Sequence, residues 1–105
     1  MMQFSEETRR KLAELCKKNR VRELSLFGSR VRGDFNESSD YDLLVEFQSN
    51  SGVSLFEFSR MQIDLEEVLG SKVDLVPKSG LKRLIRDDIL SEAELIYADG
   101  GIVLN

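Results

Sequence analysis

The segment from residue 28 to residue 45, GSRVRGDFNESSDYDLLV, holds the residue types and spacing best suited to chemistry. Gly28 and Ser29 follow an apolar run, and a strand that turns into a helix here would present backbone N–H groups to a phosphate. Asp40 and Asp42 open a second apolar run, and carboxylates at i and i+2 of a strand point to one side, which suits a hard divalent cation. The segment therefore predicts a phosphate-binding turn that begins at Gly28 and Ser29, here called the cradle, beside a metal site at Asp40 and Asp42. Transfer chemistry on a nucleoside triphosphate requires both.

A third acid, Asp74, lies in the apolar run KVDLV at residues 72–76, which predicts a strand. A carboxylate inside an apolar strand is costly unless it is paired or coordinated. If this strand lies beside the strand predicted at 41–47, Asp74 joins Asp40 and Asp42 around one site. Three carboxylates would then bind one or two Mg²⁺ ions, and the third could also accept a proton from an attacking hydroxyl.

Each of these residues also has a structural interpretation. Gly-Ser pairs are common in turns, and an isolated Asp40 is most often a turn or cap residue. Asp42 alone would satisfy a strand end, and Asp74 would form a structural ion pair with Lys72 or Arg83. The joint pattern favours function, because Gly-Ser, ten intervening residues, Asp-x-Asp and an acid on a later strand rarely occur together by chance.

Composition narrows the classes of function. With 105 residues, 41% of them apolar, the chain predicts one domain over residues 1–105 with a single modest core. Its net charge of -4 argues against a general nucleic-acid coat protein and leaves a local basic patch open. Histidine is absent, which excludes histidine bases, histidine-activated nucleophiles and most zinc sites, so acid–base and metal chemistry falls to Asp, Glu, Lys or Tyr.

Cysteine content and hydropathy predict a cytoplasmic protein. Cys16 is the single cysteine, so no intramolecular disulfide can form, and a reducing compartment fits best. The first residues lack the apolar core of a signal peptide, and no apolar run approaches the roughly 18 residues of a membrane span. Cys16 lies on the apolar face of the first predicted helix, where we expect a core residue and not a reactive thiol.

Periodicity and capping signals predict the order α-β-(turn)-β-α-β-α-β. The predicted elements are a helix from a Ser5 cap to the basic residues near Lys18, strands at 22–27, 41–47, 72–76 and 94–98, a turn or short helix at 28–33, a polar loop at 34–40, helices at 54–69 and 80–92, and an edge strand or docking tail at 102–104. Helices that alternate with short apolar strands indicate an α/β (α+β) domain, with a small mixed β-sheet flanked by helices.

The helices predicted at 54–69 and 80–92 each have an apolar stripe. Ser54 and Glu57 form a capping box for the first, and Gly70 suits its C-terminal cap. Its predicted inward residues are Leu55, Phe58, Met61, Leu65, Val68 and Leu69, and those of the second are Leu81, Leu84, Ile85, Ile89 and Leu90. Phe56 and Ile63 lie off the stripe; with the 102–104 tail they form a docking surface, complete the core or build a homodimer.

The segment GSRVRGDFNESSDYDLLV resembles the signature of the nucleotidyltransferase superfamily typified by DNA polymerase β. More narrowly, it resembles the minimal nucleotidyltransferase (MNT) antitoxins of HEPN/MNT toxin–antitoxin pairs. The resemblance extends from the strand at 22 to the strand that ends near 98. It implies the polymerase β-like nucleotidyltransferase fold, a small mixed sheet with flanking helices.

The resemblance also implies roles for individual residues. In the cradle, Gly28 and Ser29 hold the β- and γ-phosphates, and Arg32 and Gly33 match the Arg-Gly that closes the family's turn. Arg32 contacts phosphate or braces the loop, and Arg30 is the weaker candidate. The acids that bind Mg²⁺ and support catalysis are Asp40, Asp42 and Asp74. Many relatives carry a small Ala where this chain has Val31, a mild departure.

The family's activity implies ATP as the donor, Mg²⁺ as the cofactor, and a tyrosine hydroxyl of a HEPN ribonuclease toxin as the acceptor. AMPylation would silence the toxin, with no direct nucleic-acid contact and no membrane contact. The short chain leaves little room for a separate substrate-binding domain, which favours a protein acceptor. The alternatives are an antitoxin that acts by binding alone, nucleotidyl transfer to a small molecule by a homo-oligomer, and a structural module with accidental acids.

Overall fold

The computed structural model describes residues 4–34, 36, 40–98 and 100–103. Its elements are α1 (Glu6–Lys18), β1 (Val21–Phe27), α2 (Ser29–Arg32), β2 (Tyr41–Phe47), α3 (Leu55–Leu69), β3 (Val73–Pro77), a 3₁₀ turn (Lys78–Gly80), α4 (Arg83–Glu92), β4 (Glu94–Ala98) and β5 (Gly101–Ile102). The predicted order is confirmed, with boundaries shifted by a few residues. Most of the predicted loop at 34–40, namely 35 and 37–39, and Leu104 of the predicted tail lie outside the described residues.

The strands form one five-stranded sheet in the order β3-β2-β1-β4-β5. β2 and β3 pair in parallel, and the other neighbours pair antiparallel. A parallel pair needs a crossover connection, which α3 supplies between β2 and β3. The mixed sheet with its helices confirms the predicted fold class.

Helices α1 and α3 contact each other and cover one face of the sheet. The buried residues beneath them come from both helices and from four strands: Leu12, Cys16, Val21, Leu24, Leu26, Tyr41, Leu43, Val45, Met61, Leu65, Val73, Leu75, Ile96 and Tyr97. Cys16 is fully buried, and burial raises the pKa of its thiol to about 12. The prediction that Cys16 is a core residue is therefore confirmed, because a thiol with that pKa is neutral and inert near neutral pH.

The capping signals of α3 are confirmed. The Ser54 hydroxyl accepts a hydrogen bond from the Glu57 N–H, and the Glu57 carboxylate accepts one from the Ser54 N–H. Gly70 ends the helix in the left-handed conformation, with φ of 70°. The helix that connects β2 to β3 thus begins and ends where local chemistry dictates.

The predicted inward faces of α3 and α4 are wrong at three positions. Leu84 and Ile85 of α4 are 95% and 47% exposed, and no residue of this helix is buried. Leu55, in the first turn of α3, is 86% exposed because that turn precedes the part of the helix that contributes to the core. Phe56 and Ile63 lie off the α3 stripe and are exposed, as the stripe predicts. None of the described helices combines the length and apolarity that crossing a bilayer demands.

Candidate functional site

The predicted acids lie near the same end of the β2–β3 pair. Asp42 and Asp74 are Cα partners in the parallel ladder. The side chains of ladder partners project to the same side of a sheet. Here that side is opposite the one on which Val73 and Leu75, the neighbours of Asp74, are buried. Asp40 lies just before β2 and is exposed. The condition set by the sequence, that the strand at 72–76 lies beside the strand at 41–47, is met.

The environment of Asp74 differs from the expectation. It is exposed, whereas we expected a carboxylate buried inside an apolar strand. The reason is alternation: Val73 and Leu75 point into the core, so the residue between them faces the open side of the sheet. Among the ion pairs of the described residues, none joins Asp74 to Lys72 or Arg83. The proposed structural pairing of Asp74 is therefore absent from this part of the chain.

The acids influence one another electrostatically. Partial burial, followed by the negative charges of Asp74 and Asp40, raises the pKa of the Asp42 carboxyl. Arg32 lowers that pKa and Glu92 raises it further. The net effect is upward: burial is its largest cause, and repulsion from the neighbouring acids adds to it. A bound cation would relieve that repulsion.

Gly28 brings the cradle directly against Asp42. It follows Phe27, which is the antiparallel partner of Asp42, and its φ is 79°. A Cβ atom at this position would overlap the carboxylate of Asp42. Glycine is therefore required here for two reasons, the positive φ and the close approach of backbone to side chain.

The short helix α2 opens immediately after Gly28. The N–H groups of Val31 and Arg32 donate to the Gly28 carbonyl at 3.1 and 3.2 Å, and Gly33 closes the turn with φ of 88°. The N–H group of Ser29 opens the helix and has no carbonyl partner within it, so it is a donor that a phosphate would meet. The structure thus contains the turn or short helix predicted at 28–33.

The two arginines of the cradle point to different partners. Arg30 stacks on the Tyr41 ring, with its guanidinium carbon 3.8 Å from the ring centroid. Arg32 lies among acids, 3.3 Å from Glu92 and 3.7 Å from Asp34, and it influences the pKa of Asp42. Arg32 is therefore the arginine next to the acids, consistent with the preference for it over Arg30.

Glu92 is a residue of this site that sequence reasoning missed. Its Oε1 atom accepts hydrogen bonds from the Gly28 N–H at 3.0 Å and from Arg32 Nη1 at 3.3 Å. One signal was present: Glu92 is the last residue of α4, where the helix dipole disfavours a carboxylate. An acid at that position needs compensating donors, and it finds them in the cradle.

The carboxylates are the hard oxygen donors that Mg²⁺ prefers, and their mutual repulsion in the protein alone is consistent with a cation site. Within the described residues, however, no three acidic or cysteine side chains are grouped closely enough to hold a metal ion as they lie. The assignment of Asp40, Asp42 and Asp74 as metal ligands stays a prediction.

Known proteins share this fold and parts of this sequence. The chain is 46% identical over 79 residues to the protein adenylyltransferase MntA of Thermococcus cleftensis, across 75% of this chain and 78% of that protein. A crystal structure of a toxin–antitoxin with AMP-PNP matches with a TM-score of 0.70 at 20% identity, over 87% of this chain and 73% of that one. A structure of the tri-AMPylated Shewanella oneidensis HEPN toxin in complex with MNT antitoxin matches with a TM-score of 0.64 at 18% identity. The match covers 89% of this chain and 71% of that one. At such low identities, the two structures show a common fold.

The family model of the nucleotidyltransferase domain matches residues 8–96, which include the cradle, all three acids and Glu92. The match spans most of the chain, from α1 into β4. This chain therefore belongs to the nucleotidyltransferase domain family and is an enzyme of that class.

Proposed function

We propose that this chain is a protein adenylyltransferase that moves AMP from ATP to a tyrosine hydroxyl of a HEPN ribonuclease toxin, and so acts as an antitoxin. The observation that carries the proposal is the in-register pair of Asp42 and Asp74, set directly against the Gly28 turn. The names of the relatives support the acceptor class: one is a protein adenylyltransferase, and one structure contains an AMPylated HEPN toxin with an MNT antitoxin. The AMP-PNP complex supports ATP as the donor.

In this proposal the cradle binds the leaving end of ATP. Gly28 and Ser29 hold the β- and γ-phosphates: Gly28 lets the backbone approach them closely while its N–H donates to Glu92, and Ser29 supplies the donors. Arg32 and Gly33 close the turn around them. The acceptor hydroxyl forms a bond to the α-phosphorus, the bond from that phosphorus to the bridging oxygen breaks, and pyrophosphate leaves. The protein contributes mainly positioning and electrostatic stabilisation.

Asp74 is well situated to take the proton of the acceptor. It is exposed on the open face of the sheet, where a hydroxyl of a second protein can reach it. Asp42 is more shielded, and together with Asp40 it would hold Mg²⁺ with Asp74 as the third ligand. When bound, Mg²⁺ supplies positive charge that stabilises the reacting phosphate oxygens.

Exposed apolar side chains support a macromolecular acceptor. Phe56 is 82% exposed and Leu84 is 95% exposed, and their neighbours Leu55 and Ile85 are exposed as well. Exposed apolar side chains that lie together often mark a protein interaction site, and α3 and α4 each carry such a pair. The same side chains would serve an antitoxin that acts by binding alone, which is the second candidate; substitution of the acids distinguishes it from the first.

The first prediction concerns the acids. With the HEPN partner, ATP and Mg²⁺, the wild-type chain adds whole AMP units to the partner, as mass spectrometry of the intact toxin would detect. Asp40→Asn or Asp42→Asn lowers the rate by about two orders of magnitude or more, because each removes charge that the transition state requires. Glu67→Gln, which neutralises an exposed acid on α3, leaves the rate unchanged. Toxin inhibition that survives both Asp variants without any mass gain would instead establish binding as the mechanism.

The second prediction compares two glycines with positive φ. Gly28→Ala abolishes ATP binding and AMP transfer because the new Cβ overlaps the Asp42 carboxylate. Gly70→Ala also places alanine at a positive φ, 70°, but in the left-handed helical region with ψ of 21°, which costs less than the ψ of -154° at Gly28, and no atom lies near its Cβ. Both variants should lose about 1 kcal/mol of unfolding free energy or more, and calorimetry should show that only Gly70→Ala retains ATP binding. Equal retention by Gly28→Ala would contradict the close approach of cradle and acid.

The third prediction concerns pH. In metal-free protein the Asp42 carboxyl titrates above its usual range, as carboxyl ¹³C NMR would show. An Asp pKa raised by folding stabilises the protein at low pH, and that contribution disappears as the pH rises through the folded pKa. Asp74→Asn moves the Asp42 pKa part of the way down, since one repelling charge is removed while burial remains. An Asp42 pKa that does not respond to Asp74→Asn means that the two acids do not share a site.

A further inference from the structure

We propose that Glu92 is a positioning residue for nucleotide binding, acting through Gly28 and Arg32; the inference rests on the proposed function. Glu92 Oε1 accepts from the Gly28 N–H at 3.0 Å and from Arg32 Nη1 at 3.3 Å. Glu92 Oε2 accepts from the same Nη1 at 3.4 Å. One carboxylate thus ties together the first residue of the cradle and its arginine.

The hydrogen bond from the Gly28 N–H to Glu92 extends the β1–β4 pairing through a side chain. β1 and β4 pair antiparallel with Leu26 opposite Glu94, so two steps further along the ladder Gly28 is level with Glu92. Glu92 is helical and cannot offer a strand carbonyl, because β4 begins at Glu94. Its side chain supplies the acceptor for the Gly28 N–H instead, and a buried or half-buried N–H without an acceptor would be costly.

The contact with Arg32 orients the guanidinium. The Glu92 side chain is 28% exposed, against 65% for Asp34, so Glu92 is the better shielded partner. Both bonds to Glu92 use Nη1. A guanidinium has five N–H donors in a rigid fork, and fixing it by one nitrogen directs the others. Arg32 can therefore stay bonded to Glu92 while it donates to a phosphate.

The alternative role for Glu92 is a competitor that occupies the phosphate position until ATP displaces it. The pairing of β1 with β4 disfavours that role, because the Gly28 N–H is directed toward β4, as a strand donor would be. A positioning residue and a competitor predict opposite signs when the charge of Glu92 is removed. Loss of positioning weakens ATP binding, whereas loss of competition strengthens it.

The test is Glu92→Gln in the full chain, with the dissociation constant for ATP measured by calorimetry. The amide oxygen can still accept from Gly28, so the variant chiefly removes the charge that holds Arg32. We expect the dissociation constant to rise roughly tenfold, which corresponds to one charge-assisted contact. Asp88→Asn removes a negative charge from an exposed position of the same helix and should leave the constant unchanged or slightly lower.

A double-mutant cycle with Arg32→Gln separates positioning from general stability. If Glu92 acts through Arg32, adding Glu92→Gln to Arg32→Gln leaves the ATP dissociation constant unchanged, because the contact is already lost. If Glu92→Gln alone fails to fold, the double variant, which lacks both charges, is compared with Arg32→Gln. The inference requires the two to have the same dissociation constant for ATP. If the wild-type protein binds ATP and the Glu92→Gln variant binds it equally or more tightly, the inference is wrong and the proposed function stands. Wild-type protein that neither binds ATP nor transfers AMP overturns the proposed function, and the inference with it.

Discussion

The parallel register between β2 and β3 is the constraint on which the site depends. It sets Asp42 opposite Asp74, and a slip of one residue would turn Asp74 into the core. The core side chains Val73 and Leu75 oppose such a slip, since both are buried. Two hydrogen bonds at the start of the pair add to this: the Tyr41 N–H donates to the Lys72 carbonyl at 2.9 Å, and the Val73 N–H donates to the Glu66 carboxylate at 3.0 Å. Packing on the opposite face of the sheet therefore determines that Asp42 and Asp74 lie side by side.

Several acids lie close together at this end of the sheet, as the proposed chemistry requires. Asp42 is partly buried beside two other acids, with Arg32 as the cation that lowers its pKa. Glu92 adds a further negative charge and directs that arginine. An anionic nucleotide would enter such a site only with a cation beside it, so recognition of ATP and of Mg²⁺ are coupled in this account. The metal and the arginine would then share the neutralisation of the phosphates.

Many features of the fold can be predicted from the sequence, because they depend on residues close together in the chain. The caps of α3, the buried Cys16 and the strand at 41–47 follow from short-range periodicity and capping chemistry. The exposure of Asp74 was missed because apolar composition was given more weight than the alternation of a strand. The exposed face of α4 was missed because periodicity shows which residues share a face, and does not show what covers that face. Glu92 was missed because its partners are brought near only by the pairing of β1 with β4.

The central claim is that the cradle and the acids form one nucleotide site. A crystal structure of this chain with AMP-PNP and Mg²⁺ tests it most directly. The account predicts the triphosphate along residues 28–33 and the metal in contact with the carboxylates of Asp42 and Asp74. A nucleotide bound elsewhere on the molecule, or a metal that does not contact these two acids, would contradict it.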